Sequence, residues 1–347
     1  MKGVRLLTAA FGAILLAAGA AQAGKFDGQT IRVQFWGGSD GLVLRKYVVE
    51  PFERETGAKI VVEEGNTSGS IAKVRAQMAD PQLDVIFLDD IGVLTLKSEG
   101  ALEKLDLARM PNAADIHPNY RVGDGFGIGI FNYIATILYN PDKVKAPTSW
   151  ADLWKPEFKG KVLSPKITDT QGLLFTVMAA QLNGGNLDNL DPAWDKLTAF
   201  RPNIFSFIEN RALAAEALNN GDVVVAVDIP YYFKPYIERG YKIAMTTDLK
   251  EGFFSITGSA ALVKGGKGNK DVAYAFINQA LTPSAQAGLA VDLWYGPTNA
   301  KTQVPDNVAK FMVHTVKQFE NAIQVDRLKL LDKRQSIIDK WNQTMTR

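Results

Sequence analysis

The chain has 347 residues, 46% hydrophobic and 22% charged, with 39 Lys and Arg against 37 Asp and Glu. That composition excludes a disordered or collagen-like chain, and a net charge of +2 lacks the basic excess of a nucleic-acid binder. With no cysteine and only His117 and His314, there is no disulfide framework, no thiolate chemistry and little material for an imidazole-rich metal centre.

Lys2 and Arg5 precede the apolar, small-residue run Leu6–Ala20, and Ala21-Gln22-Ala23 follows with small-x-small spacing. Residues 1–23 therefore read as a secretory signal peptide cleaved after Ala23. The run is shorter than the ~20 apolar residues that a spanning helix needs. Cleavage removes two basic residues and no acid, leaving 37 of each sign. The mature chain is expected to be neutral, exported and periplasmic.

Thr30–Trp36 alternates in the manner of a strand, and Gly37–Gly41 reads as a loop. Leu42–Glu55 has helical spacing, with Pro51 set to kink the helix or start a new one and Gly57 as its C-cap. Lys59–Glu63 is a second strand, Ser70–Met78 a helix, Leu83–Leu88 a strand suited to burial on both faces, and Ile91–Ser98 a helix. This alternation predicts an α/β fold with a mostly parallel sheet. Gly123–Gly129 reads as a glycine-rich loop before a strand at Tyr133–Tyr139. Helices are expected at Gln171–Leu182, Pro192–Phe200 and Arg211–Asn219, then a strand at Val223–Val227. A strand at Phe253–Val263, helices at Lys270–Leu281 and Ser284–Val291, and a helical tail from Val316 complete the chain. No low-complexity linker separates the halves, which predicts two α/β units joined by several chain crossings.

Enzyme signatures are weak. Ser70-Ile71-Ala72-Lys73 matches S-x-x-K without its companion motifs, and Thr67, Ser68 or Ser70 reads better as a helix cap. Gly265-Gly266-Lys267-Gly268 lacks phosphate-loop spacing. Polar and aromatic residues do gather at strand ends, where open α/β sheets place ligands. Trp36, Ser39 and Asp40 follow the first strand, and Asp89 and Asp90 the third. Asp228, Tyr231 and Tyr232 follow Val223–Val227, and Trp294 and Tyr295 precede the turn Gly296-Pro297. Carboxylates beside aromatic faces suit an organic cation, through charge-assisted hydrogen bonds and cation–π contacts of about 0.5–2 kcal/mol.

Pro147–Val162 reads PTSWADLWKPEFKGKV. This segment resembles the periplasmic polyamine-binding proteins of ABC importers and their thiamine- and iron-binding relatives. Phe52–Gly57, Leu83–Leu88, Ser98–Leu102, Tyr139-Asn140-Pro141, Ala275–Leu281 and Tyr295–Asn299 resemble that family in the same order. The resemblance implies a two-lobed (type II) periplasmic binding fold that closes on a small solute and presents it to a membrane permease, with no catalysis and no cofactor. Lobe 1 would take residues 25–126 and 255–302, and lobe 2 residues 127–254 and 303–347, in a monomer.

By the same resemblance Trp36 falls at an aromatic ligand position and Asp169 at an acidic one. Leu173 stands where a second acid is expected, and Ser255 and Thr257 fall near a family Trp and Asp. The leading expectation is a small organic cation or amine of the putrescine or spermidine kind, with Asp89, Asp90 and Asp228 as replacement carboxylates. Tyr231-Tyr232 resembles a ferric-iron tyrosine pair, which keeps iron as an alternative. Thiamine or an aminophosphonate is another, with Asn66–Ser70 holding its anionic end at a helix N-terminus.

Overall fold

The computed structural model describes residues 24–345, so the signal-peptide segment lies outside the described residues. Twelve strands form one sheet, eight of them on its main path. In chain order the main strands and longer helices begin with β1 (Thr30–Trp36), α1 (Gly38–Leu44), α2 (Glu50–Thr56), β2 (Lys59–Gly65) and α3 (Thr67–Ala76). They continue with β3 (Val85–Asp89), α4 (Asp90–Ser98), β4 (Gly127–Tyr139), β5 (Val162–Ser164), α5 (Thr170–Gln181) and α6 (Asp191–Phe200). Next come β6 (Ile204–Phe207), α7 (Arg211–Asn220), β7 (Val225–Asp228) and β8 (Phe253–Val263). Helices α8 (Lys270–Ala280), α9 (Pro283–Leu293), α10 (Arg327–Asp332) and α11 (Arg334–Met345) complete the series.

The strand order is β2-β1-β3-β8-β4-β7-β5-β6. The outer strands of each half run parallel, as the β-loop-α alternation predicted. Two long antiparallel strands, β8 and β4, join the halves and pair from Phe254↔Ala135 to Ala260↔Ile128. One core gathers Ile31, Val33, Phe35, Val85 and Phe87 of the first half with α8 and α9. A second gathers Trp150, Val225 and Val227 with α5, α6 and α11, where Trp341 is buried. Among the described residues no helix is long and apolar enough to cross a membrane.

Two sequence expectations change in detail. Gly38–Leu44 is already helical, so the predicted glycine loop shrinks to a turn. A π-helical turn at Arg45–Val49 follows, and Pro51 stands in the first turn of α2, where its missing N–H leaves no helical partner unsatisfied. β4 begins at Gly127, within the expected loop, and runs for 13 residues. Its glycines are needed for packing: a Cβ on Gly127 would meet Val93 at 2.8 Å.

The Pro147–Val162 motif turns out to be structural. Ser149 and Asp152 form a capping box, and Glu251 accepts from Ser149 Oγ at 2.6 Å and from the Trp150 backbone N–H at 3.0 Å. Trp150 is fully buried and donates Nε1–H to the Gly252 carbonyl at 2.8 Å. This knot anchors the start of β8 to the second core.

Candidate functional site

Across the antiparallel β8–β4 pair, β7 runs opposite to β1 and β3, so the carboxyl ends of the two halves point toward each other and, with the turn after α9, meet at a cavity of about 160 Å³. Trp36, Asp40, Asp89, Tyr231, Tyr232 and Tyr295 line it, all of them expected from the sequence. Phe131, Tyr133 and Ile229 complete the wall and were not expected.

The aromatic lining is one continuous lattice centred on Tyr295. Its ring stacks on Phe131 with centroids 4.4 Å apart and meets Tyr231 at 5.1 Å and Tyr133 at 5.6 Å, while Trp36 meets Phe131 at 5.3 Å. The backbone explains these positions. Asn132 and Gly296 exchange N–H···O bonds of 2.7 Å, which seats Tyr295 beside Phe131 and Tyr133. Gly258 permits the Phe131 ring, because a Cβ there would lie 2.2 Å from it. Trp294, the C-cap of α9, adopts a left-handed φ of 56° that turns the chain. The Trp294 ring leaves the cavity and stacks on Phe311 at 3.9 Å.

Two carboxylates face this lattice. Asp40 accepts from Tyr295 Oη at 2.8 Å. Asp89 accepts from Thr67 Oγ1 at 2.9 Å and Tyr133 Oη at 3.2 Å, and Trp36 Nε1 donates to Thr67 at 3.3 Å. A carboxylate has about four acceptor sites, so each keeps capacity for a further donor. Burial pushes the Asp89 carboxyl up to about 6, with hydrogen bonds opposing and the Asp90 and Asp40 charges adding. Burial likewise raises Asp40 above the ordinary range. Tyr133 and Tyr295 are also pushed up, first by burial and then by these carboxylates, so both stay phenolic and donate. The cavity thus concentrates negative charge at a desolvation cost, which an entering cation would offset.

Asp228 sits differently. It is 2% exposed and accepts from Gln171 Nε2 at 2.8 Å, its neighbour's backbone N–H at 2.8 Å, and Arg211 Nε and Nη2 at 3.0 and 3.4 Å. Four donors fill the acceptor sites of Asp228, so it holds a guanidinium rather than a solute. Asp169 lies 3.8 Å from the same guanidinium. Arg211, the first residue of α7, lies with its guanidinium 3.7 Å from the centre of the Tyr232 ring. Nothing in the sequence around Arg211 singled it out, apart from its place just after the N-cap Asn210.

The remaining candidates scatter. Ser39 Oγ and Tyr231 Oη are 2.7 Å apart, a hydrogen bond between the two halves of the sheet. Asp90 pairs with Arg327 at 3.4 Å behind Asp89. Thr257 lines a separate cavity with Asp90 and Arg327. Ser68 is exposed in the first turn of α3, and its neighbour Thr67 makes the contact with Asp89.

Comparison with known proteins agrees with this fold. Residues 47–311 match the family model of bacterial extracellular solute-binding proteins. A gamma-aminobutyric acid-binding protein of Pseudomonas aeruginosa is 28% identical over 341 residues, spanning 93% of this chain and 92% of its own. A spermidine/putrescine-binding periplasmic protein of Escherichia coli K12 is 26% identical over 265 residues, 73% of this chain and 74% of its own. The crystal structure of an ABC transporter protein from Clostridium perfringens superimposes with a TM-score of 0.79 at 28% identity, over 91% of this chain and 99% of that one.

Proposed function

Because the chain belongs to the bacterial extracellular solute-binding proteins, transport components of ABC importers rather than enzymes, we propose that its cleft captures a short amine bearing a carboxylate, an ω-amino acid of the γ-aminobutyric acid kind. One observation carries this reading. Two carboxylates with spare acceptor capacity, Asp40 and Asp89, share a ring-lined cavity whose Tyr232 wall carries a guanidinium held by Asp228. The ammonium lies against Asp40 and Asp89, with Trp36, Tyr133 and Tyr295 around it. The carboxylate turns toward Arg211. A solute with one charge of each sign satisfies both ends, and a plain diamine satisfies only one. The relative that binds γ-aminobutyric acid by name also spans nearly the whole chain.

The sheet halves act as lobes in this reading, 25–126 with 255–302 and 127–254 with 303–347. β4 and β8 form the hinge, and Ser39–Tyr231 is a clasp that forms on closure. Capture takes place in the periplasm after removal of residues 1–23, and a membrane permease receives the loaded protein. Ferric iron fits less well. The Tyr231 hydroxyl is engaged by Ser39, burial pushes both phenols above their ordinary value, and Arg211 brings positive charge onto Tyr232.

The test is calorimetric titration of ligand-free protein with γ-aminobutyric acid, putrescine, spermidine, thiamine and Fe3+. The expected result is tightest binding of the ω-amino acid. Tighter binding of putrescine, spermidine, thiamine or iron would overturn the assignment.

A further inference from the structure

Thr67 lies two residues beyond the end of β2 and opens α3. Thr67, Ser68 and Ser70 read as candidate caps of that helix, but Asn66 caps it, its side chain accepting from the Gly69 N–H at 2.9 Å. The Thr67 hydroxyl is therefore free for another task. It donates to Asp89 Oδ2 at 2.9 Å and accepts from Trp36 Nε1 at 3.3 Å. Its direction is fixed, because an indole can only donate and an ionised carboxylate can only accept. The methyl group is held as well: a Cβ on Gly92 of α4 would come within 2.9 Å of Thr67 Cγ2. With both branches engaged, this β-branched side chain is held in one rotamer.

Trp36 ends β1 and Asp89 ends β3, and these strands are parallel neighbours in the sheet. One hydroxyl, from the chain just past β2, thus ties together the ends of three adjacent strands. Two of those strands supply walls of the amine cavity, while Thr67 itself stays behind the lining.

We propose that Thr67 is a positioning residue for the amine, whose hydroxyl aims the Trp36 ring and the Asp89 carboxylate at the ammonium. The proposal rests on the amine-site reading above and deepens it. Tyr133 holds the other oxygen, Oδ1, so the carboxylate is gripped at both ends and its spare acceptor sites are left for the solute. The same bond helps to keep the carboxyl ionised. Burial pushes Asp89 up to about 6, and the Thr67 hydroxyl is the foremost group that opposes it. The titratable groups that face Asp89 are Asp90 of α4, itself paired with Arg327 of α10, Asp40 of α1, Tyr133 of β4 and Tyr232 after β7. Among these only Tyr133 donates to it. Loss of the Thr67 hydroxyl leaves one hydrogen bond where there were two, and the carboxyl rises further.

The experiment is calorimetric titration of wild type, Thr67→Val, Thr67→Ala and Thr67→Ser with γ-aminobutyric acid and with putrescine from about pH 5 to 8, with the circular-dichroism melt of each. Valine removes the hydroxyl and keeps the shape, alanine removes both branches, and serine keeps the hydroxyl alone. Either hydroxyl-free variant that melts cooperatively is sufficient. At neutral pH it is expected to bind the amine at least about tenfold more weakly than wild type, the lower range for a hydrogen bond to a charged group. It is also expected to lose affinity from a higher pH than wild type does, because its Asp89 takes up a proton sooner. Thr67→Ser is expected to stay within about threefold of wild type and to keep its pH profile. Unchanged affinity in a hydroxyl-free variant overturns the proposal and leaves the amine site standing. A loss with an unchanged pH profile, or one that serine shares, overturns it as well, because packing alone would then be the cause. Wild type that binds neither amine overturns the amine site, and the role of Thr67 with it.

Discussion

Asp89→Asn is expected to weaken amine binding by about 10²–10³-fold, the range for truncating one partner of a buried charge pair, while making the ligand-free protein more resistant to heat at neutral pH. The two signs have one cause. Thr67 and Tyr133 donate to different oxygens of Asp89, so asparagine keeps an acceptor for one of them and turns its NH2 toward the hydroxyl oxygen of the other, but removes the charge that an ammonium needs. It also removes the cost of an ionised carboxyl in a site that pushes it from 3.8 to about 6. A folded-state value above the unfolded one means that the empty protein binds the extra proton on folding. The contribution from Asp89 is therefore fully present below about pH 4 and is lost as pH rises through about 6. Affinity for a cation has the opposite trend. It needs the carboxylate, so in wild type it falls by up to about tenfold per pH unit below about pH 6. Titrations from about pH 5 to 8 check both claims together with melting curves of the empty proteins. A wild-type affinity independent of pH, or an Asp89→Asn variant that binds normally, contradicts the role given to Asp89.

Arg211→Gln is expected to cost an ω-amino acid about 10–100-fold in affinity, the worth of a charge-assisted hydrogen bond to a carboxylate. A monoamine of the same length, which has nothing to offer a guanidinium, is expected to change by less than about threefold. That contrast separates ligand recognition from a structural role. Arg211 also stacks on Tyr232 and holds Asp228, so its loss will lower the melting temperature and leave Asp228 with Gln171 and one backbone N–H. Purely structural damage would weaken both solutes alike. Calorimetric titration with γ-aminobutyric acid and butylamine gives the two numbers, and equal losses would remove Arg211 from the recognition site.

The strand ends were legible in the sequence because apolar runs fix where strands stop, and the residues just beyond them must lie at one edge of a parallel sheet. Trp36, Asp40 and Asp89 came together for that reason at the ends of β1 and β3, while Tyr231 meets them from the oppositely running β7 and Tyr295 from the turn after α9. The longest recognisable motif, Pro147–Val162, identified the fold and not the solute, since its tryptophan and its capping box belong to the second core. Tyr133 was hidden because it lies inside a strand that reads as uniformly apolar, and only the Asn132–Gly296 pairing turns it into a wall of the cavity. Asp228 shows a different limit. Its position was legible, but whether a buried carboxylate meets a ligand or a protein cation depends on Arg211, seventeen residues earlier on another element. Arg327 is further still from local pattern, since its partners Asp90 and Ser255 come from α4 and β8 by tertiary packing. Pattern reasoning reports which face a residue occupies, and not which charges neutralise each other there.

The central claim, an amine held between Asp40 and Asp89 with its carboxylate toward Arg211, is tested most directly by a crystal structure of the protein grown with γ-aminobutyric acid. The account predicts density in the ring-lined cavity, the ammonium within hydrogen-bond distance of Asp40 or Asp89, and the carboxylate facing the guanidinium. A solute lying elsewhere, or lying there with its carboxylate against Asp89, would contradict it.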